Sequence, residues 1–291
     1  MLTSLLTGGH LMLETLPGLI QAKALVTLAA ATGSEFRRIQ FTSETLPTDL
    51  VSAEFSMDSR RERLALTRGP IFATFLQIDG LERASDRVLE YLAQILRERQ
   101  VTLGLRTHRL PQPFMVLATR EPREASAGTR LPETLADNFM YQMNLETSGP
   151  RLTSLNGTLG AAEQSTLPVS PVVDRKSILA ARRVVERIHL DDRVADYAAR
   201  LVYASRHAAT SGLGLVSKAK RIAFPRAAGC LELAAKAQAF LARRGHVTPR
   251  DVQIAALDVL RHRIILRRSA GAQTPPAGVP VEQILEAVAM P

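Results

Sequence analysis

Ile71-Phe-Ala-Thr-Phe-Leu-Gln-Ile78, followed by Asp79-Gly80, is nearly all apolar. A strand with one wet face alternates apolar and polar residues, whereas a strand buried on both faces does not. The run therefore predicts an inner strand of a parallel sheet. Working outward, Phe114–Thr119 reads as a second buried strand, and Phe36–Phe41 alternates as a strand should. Gly9–Glu14 is a short apolar run that opens into a turn at Pro17-Gly18. Between these runs lie helical segments. Ala22–Thr32 is rich in Ala and Leu and is ended by Gly33, and Asp86–Arg99 follows Ser85, a suitable N-cap. Strands alternating with helices predict an α/β fold, a parallel sheet covered on both faces.

Between Ser148 and Pro171 the composition shifts to Gly, Ser, Thr and Pro, and apolar periodicity fades. From Asp174 to Arg268 the pattern is helical. Ser177–His189, Asp192–His207, Pro225–Arg243 and Thr248–Leu266 carry apolar residues at three- and four-residue spacing. Thr248-Pro249-Arg250-Asp251 is a helix start, with a Thr cap, Pro in the first helical position and an acid in the first turn. Ala270–Pro280 is a second linker, and Val281–Val288 suits a short last helix. The expected organisation is an α/β core over 1–147, a linker over 148–171, a helical domain over 172–268, and a C-terminal linker with a short helix over 269–291.

Composition narrows the function classes. Hydrophobic residues make up 46% and charged residues 22%, a soluble globular balance. No apolar run is long enough to span a bilayer, and the first residues lack the pattern of a secretory signal, so a cytoplasmic protein is expected. The single cysteine, Cys230, excludes an intrachain disulfide and a thiolate metal cluster; it reads as small filler in a helix. The six histidines show no H-x-x-x-H pair and read as surface or loop residues, so no metal site is expected. The net charge is +9, and five of the 37 basic residues are Lys. A basic chain suits an anionic partner, but Arg is spread along its whole length. Aromatics are 4% and Trp is absent, which argues against a stacking surface for single strands.

Several blocks occur in a telling order. Gly8-Gly9-His10-Leu-Met-Leu-Glu14 precedes Pro17-Gly18-Leu19. Phe36-Arg-Arg-Ile-Gln-Phe-Thr42 leads to Leu46-Pro47-Thr-Asp49, then Arg68-Gly-Pro-Ile-Phe-Ala73 and Glu98-Arg-Gln-Val-Thr102. Pro113-Phe-Met-Val-Leu-Ala-Thr119 is followed by Leu131-Pro132-Glu133, and later by Pro225-Arg226-Ala227 and Asp258-Val-Leu-Arg-His-Arg263. In this order, and over essentially the whole chain, they resemble the MoxR family of AAA+ ATPases. The resemblance implies an AAA+ P-loop-type parallel sheet domain followed by a helical lid. It also implies ATP and Mg²⁺ as cofactors, and an insertion protruding at Ser52–Thr67. MoxR proteins usually carry a further helix and a Gly-Gln turn before the point where this sequence starts.

The positions that carry the family's chemistry depart from its pattern. The phosphate loop G-x-x-x-x-G-K-[ST] falls on Thr15 to Ala22, so its defining positions are Thr15, Ile20, Gln21 and Ala22 around Pro17, Gly18 and Leu19. Ile is a poor fit where the backbone must curl around phosphate with φ above zero. Gln21 brings no charge, Ala22 brings no hydroxyl for Mg²⁺, and Lys23 is displaced around the helix. Asp79 stands where the family Asp orders Mg²⁺; it also reads as a solvated or capping carboxylate. The following catalytic Glu is Gly80, so no base remains. Ala118-Thr-Arg-Glu-Pro122 puts Glu121 at the polar sensor, where its charge opposes a γ-phosphate unless Arg120 or Arg123 offsets it. Ala136-Asp137-Asn138-Phe139 lacks the arginine offered to a neighbouring subunit. Arg226 matches the second sensor arginine and equally suits a helix start.

These losses predict a non-hydrolysing scaffold or regulatory subunit in chaperone-like assembly, with no bound cofactor. Its expected partners are other protein subunits, either of a MoxR-type ring or of the von Willebrand A type. Two alternatives stand beside it: an ATP-binding MoxR ATPase with weak hydrolysis through Asp79 and Arg226, and a basic nucleic-acid-binding module.

Overall fold

The structure is a computed structural model that describes residues 1–15, 20–58, 63–103, 106–121, 131–145, 169–207, 219–221, 226–266 and 279–291. Its central sheet has the strands β1 (His10–Thr15), β2 (Phe36–Gln40), β5 (Phe75–Asp79), β8 (Met115–Arg120) and β9 (Phe139–Leu145), in the order β2-β5-β8-β1-β9. The pairings of β2 with β5, β5 with β8, and β8 with β1 are parallel. The α/β AAA+ architecture read from the sequence is the one observed. Inner β5 and β8 bury almost every residue, which explains their unbroken apolar runs. Edge strand β2 leaves Arg37 and Arg38 exposed.

The run Ile71–Ile78 is not one strand. Pro70–Phe72 forms a 3₁₀ turn, and β5 begins at Phe75. Pro70 fixes the backbone and supplies no N–H to a sheet ladder, so the first half packs as a turn, with Ile71 fully buried.

Helix α1 (Leu2–Thr7) precedes the sheet, and α2 (Ile20–Ala31) follows β1. Gly33, at φ +57°, lies just beyond the end of α2. Helix α4 (Asp86–Glu98) buries Val88, Leu89, Leu92, Ala93, Ile95 and Leu96, one face at helical spacing. Short α3 (Pro47–Val51) lies before β3 (Ser52–Asp58), which pairs antiparallel with β4 (Arg63–Arg68) as a separate hairpin. A second hairpin, β6 (Gln100–Leu103) with β7 (Arg106–Arg109), was not read from the sequence; neither were α1 and β9.

His10 corrects the reading of every histidine as a surface or loop residue. It is buried in β1, its Nδ1 accepts the Val116 N–H at 3.1 Å, and its ring meets Phe114 edge-on.

Two compact units account for the chain: 10–139 with 143–179, and 1–9 with 140–142 and 180–291. In the first, the core runs from Met12 through Phe41, Ile71, Leu76, Ile78 and Val116 to Phe139. The second is helical. After short α5 (Glu133–Ala136) in the first unit come α6 (Arg175–Arg187), α7 (Asp192–His207), α8 (Ala227–Leu241), α9 (Pro249–Leu260) and α10 (Val279–Ala287). Alanines at 227, 234, 235, 237 and 239 are the buried face of α8. At the start of α9, the Thr248 N–H and hydroxyl both donate to Asp251, at 2.8 and 2.7 Å. Arg244 grips the same carboxylate with two N–H groups, at 2.8 and 2.6 Å.

The helix expected over Thr248–Leu266 stops at Leu260. A 3₁₀ turn (Arg261–Arg263) follows, then β11 (Ile265–Leu266), which pairs with β10 (Ala219–Arg221). Arg263 is fully buried there and donates to the carbonyls of Val259 and Met140. Satisfying that guanidinium with carbonyl groups accompanies the break in the helix.

Candidate functional site

The carboxyl ends of β1, β5 and β8 meet at one pocket lined by Thr15, Arg38, Gln40, Asp79, Gly80, Glu82, Arg83, Thr119, Arg120 and Glu121. This edge is where open α/β sheets place their ligands. Asp79 ends β5 and is held by three side chains. Arg38 Nε donates to its Oδ2 at 2.6 Å, Thr119 Oγ1 donates to Oδ1 at 3.0 Å, and Gln77 Nε2 reaches Oδ1 and Oδ2 at 2.9 and 3.1 Å. A carboxylate offers about four acceptor positions. Here four protein hydrogen bonds take them, so Asp79 is neither a solvated carboxylate nor a helix cap.

The next residue changes the backbone itself. Gly80 lies at φ +75°, in the left-handed region, and its N–H donates to Thr119 Oγ1 at 3.4 Å. A side chain here would be strained, and its Cβ would sit 3.2 Å from Arg83 Cδ. Beyond it, Arg83 bridges two carboxylates, at 2.7 Å from Glu121 and 3.5 Å from Glu82. Its hydrogen bond to the Glu121 carboxylate raises the Arg83 pKa above its ordinary value. The Glu121 N–H also donates to Glu82 at 3.2 Å. The charge of Glu121 is thus met by Arg83; of the two offsets expected from the sequence, Arg120 forms no ion pair among the described residues and Arg123 lies outside them.

Comparison with known proteins fixes the lineage. Residues 10–141 match the family described as ATPase family associated with various cellular activities (AAA), and residues 221–287 match the AAA lid domain. Chaperone MoxR1 of Mycobacterium tuberculosis is 31% identical over all of this chain and 77% of its own length. The chain belongs to the MoxR family of AAA+ proteins. Protein MoxR of Paracoccus denitrificans is 28% identical over 91% of this chain and 82% of its own. A crystal structure of a candidate ATPase from Cytophaga hutchinsonii superposes with a TM-score of 0.90 at 32% identity, covering all of this chain and 88% of that one.

Within the MoxR frame, Pro17, Gly18 and Leu19 lie outside the described residues, and Ile20, Gln21 and Ala22 open α2. Ile20 has helical backbone. That agrees with the reading that Ile does not suit a backbone with φ above zero. Asn138, expected from the resemblance to stand in for an intersubunit arginine, turns back on its own chain. Its Nδ2 donates to the Ala93 and Thr134 carbonyls, at 3.1 and 2.8 Å. Arg226 sits at the N-cap of α8, in the helical unit, with an exposed side chain. The clamp on Asp79 was not read from the sequence, although Arg38 lies in a block that carried the resemblance. Among the described residues, no His, Cys, Asp and Glu group suits a metal ion, and no helix is long and apolar enough to cross a membrane.

The fold family implies Mg²⁺ and a nucleotide here, and the residues present do not fit them as arranged. Asp79 is bonded by Arg38, Gln77 and Thr119, Gly80 supplies no base, and Glu82 and Glu121 add carboxylates to the pocket lining.

Proposed function

We propose that this MoxR-family chain is a non-hydrolysing subunit, a scaffold or regulatory member of a cytoplasmic, chaperone-like protein assembly. The observation that carries this reading is the engagement of Asp79 by Arg38, Gln77 and Thr119. Phosphoryl transfer to water needs phosphates held, Mg²⁺ placed and a water activated. Arg38, Gln77 and Thr119 engage the carboxylate that would place the metal, and Gly80 stands where the base would be. Asn138 offers nothing to a neighbour's nucleotide while it bonds Ala93 and Thr134. The partners that suit this role are active MoxR-type subunits or von Willebrand A-type proteins. Co-purification from the native host, with identification of the proteins retained, tests it. Retention of ring subunits or such a partner supports the role, and a chain recovered alone counts against it.

A second reading, slow ATP hydrolysis, leans on the retention of Asp79 at the end of β5 and Arg226 at the start of α8. It requires Arg38 to release Asp79. On that reading Arg38→Ala raises turnover; on the reading preferred here it leaves turnover at background.

A further inference from the structure

The stretches 63–78 and 99–120 hold six Arg and neither Asp nor Glu, in a chain whose net charge is +9. Strands β4 and β7 lie within them. The Gly69 N–H donates to the Val51 carbonyl at 3.0 Å, and a Cβ at Gly69 would lie 2.5 Å from the Val51 backbone, so the end of β4 is held closely there. Arg68, just before it, places its Cζ 5.6 Å from the centroid of the Phe72 ring. His108 of β7 meets the same ring edge-on at 6.2 Å. In the hairpin's register His108 stands opposite buried Val101, and Arg106 stands opposite Leu103, which packs on the core. The other face of the hairpin carries Gln100, Thr102, Thr107 and Arg109 and is polar throughout. There the Thr102 and Thr107 hydroxyls bond each other at 3.1 Å.

Arg68, Arg106 and Arg109 are exposed, and among the described residues none of them forms an ion pair. On the edge of the central sheet the arginines are paired, Arg37 with Glu35 and Arg38 with Asp79. Glu98, the acid just before the hairpin, is flanked in sequence by Arg97 and Arg99.

We propose that the β6–β7 hairpin, together with Arg68, is the docking surface for an acidic segment of a partner protein. Guanidinium groups meet carboxylates with paired N–H donors, and the polar outer face offers an apolar segment nothing to bury against. Single-stranded nucleic acid would need an open aromatic ring on which to stack. The Phe72 ring already holds Arg68 over its face and His108 at its edge. The inference goes beyond the scaffold reading: it gives a partner its chemistry, and it holds whether or not the chain turns over ATP.

The test is fluorescence anisotropy of a labelled decaglutamate peptide titrated with the full chain in EDTA, without nucleotide, over a series of salt concentrations. Saturable binding that weakens as salt rises is expected. Arg106→Glu with Arg109→Glu should weaken it at least about tenfold, because two attractions become repulsions. Arg87→Glu with Arg250→Glu changes the net charge equally, at exposed positions on the far end of α4 and on α9, and should weaken it less than about twofold. Circular dichroism shows whether each variant is folded. Where the paired Glu variant does not fold, Arg106→Gln with Arg109→Gln removes the charges without repulsion and should weaken binding severalfold. No binding by the unmodified chain, or equal losses in the two charge-reversed variants, overturns the inference. Tighter binding of labelled single-stranded or duplex DNA, lost in the same Arg106 and Arg109 variant, also overturns it and makes the surface a nucleic-acid site. Co-purification from the native host judges the scaffold reading separately. Partners retained equally by the unmodified chain and by the Arg106→Glu, Arg109→Glu variant leave that reading standing and overturn only the docking surface.

Discussion

Arg38 and Asp79 lie on neighbouring strands, and Arg38 Nε reaches Asp79 Oδ2 at 2.6 Å. The register that brings them together sets Arg38 opposite Gln77 and Gln40 opposite Asp79. The ion pair therefore runs diagonally across two parallel strands, and the edge position of β2 keeps the arginine half exposed. Asp79→Asn should lower stability by about 1–2 kcal/mol, since it loses one charge-assisted bond that is partly screened by water. Urea unfolding measures that loss. The same variant should leave ATP turnover where the unmodified chain has it, at background.

Gly80 is the second position to test. Gly80→Ala should cost about 1–2 kcal/mol, because a side chain is forced to φ +75°. Gly80→Glu should cost at least as much and should not restore hydrolysis. The new carboxylate would enter on a strained turn beside Arg83, with Asp79 still clamped. A Gly80→Glu variant as stable as the parent would show that the turn relaxes.

Much of this was legible in the sequence, and the gaps have physical causes. The inner strands were visible because burial on both faces leaves an apolar run, and α4 was read behind Ser85 as its N-cap. The same run misled at Ile71, because a packed 3₁₀ turn and a buried strand look alike until Pro70 is weighed. Asp79 was seen as a motif residue, but its partners were not. Arg38 is 41 residues away and reaches it only through strand register. His10 looked like a loop residue because its burial depends on β8 beside it, not on its neighbours in sequence. Arg120 was read only as an offset to Glu121; its burial shows in the folded chain alone.

In the helical unit, Asp251 sets a pH dependence. Burial pushes its carboxyl up, but the hydrogen bonds from Arg244 and Thr248 outweigh this and hold it below the usual carboxylate value. Its contribution is fully present above about pH 4, the unfolded value, and is lost as pH falls through the lower folded value. Asp251→Asn should destabilise the chain by about 2–3 kcal/mol at neutral pH, with the difference from the parent shrinking in acid. Thermal unfolding from pH 7 down to 3 reads both. A difference that stays constant across that range would contradict the assignment.

Asn138 predicts how the chain assembles. Nucleotide should not drive self-association, because the side chain at the intersubunit position bonds Ala93 and Thr134. Light scattering should give one mass with and without Mg-ATP. Asn138→Arg should cost about 1–2 kcal/mol through two lost hydrogen bonds and should still form no nucleotide-dependent ring. A shift to a larger ring on adding Mg-ATP to the unmodified chain would contradict this.

The central claim is that the MoxR fold persists here without hydrolysis, and steady-state Mg-ATP turnover by the purified full chain tests it most directly. A rate indistinguishable from buffer is expected for the unmodified chain, for Arg38→Ala and for Gly80→Glu. Saturable turnover by the unmodified chain that disappears in Asp79→Asn would contradict it, because that loss would place Asp79 in a working metal site.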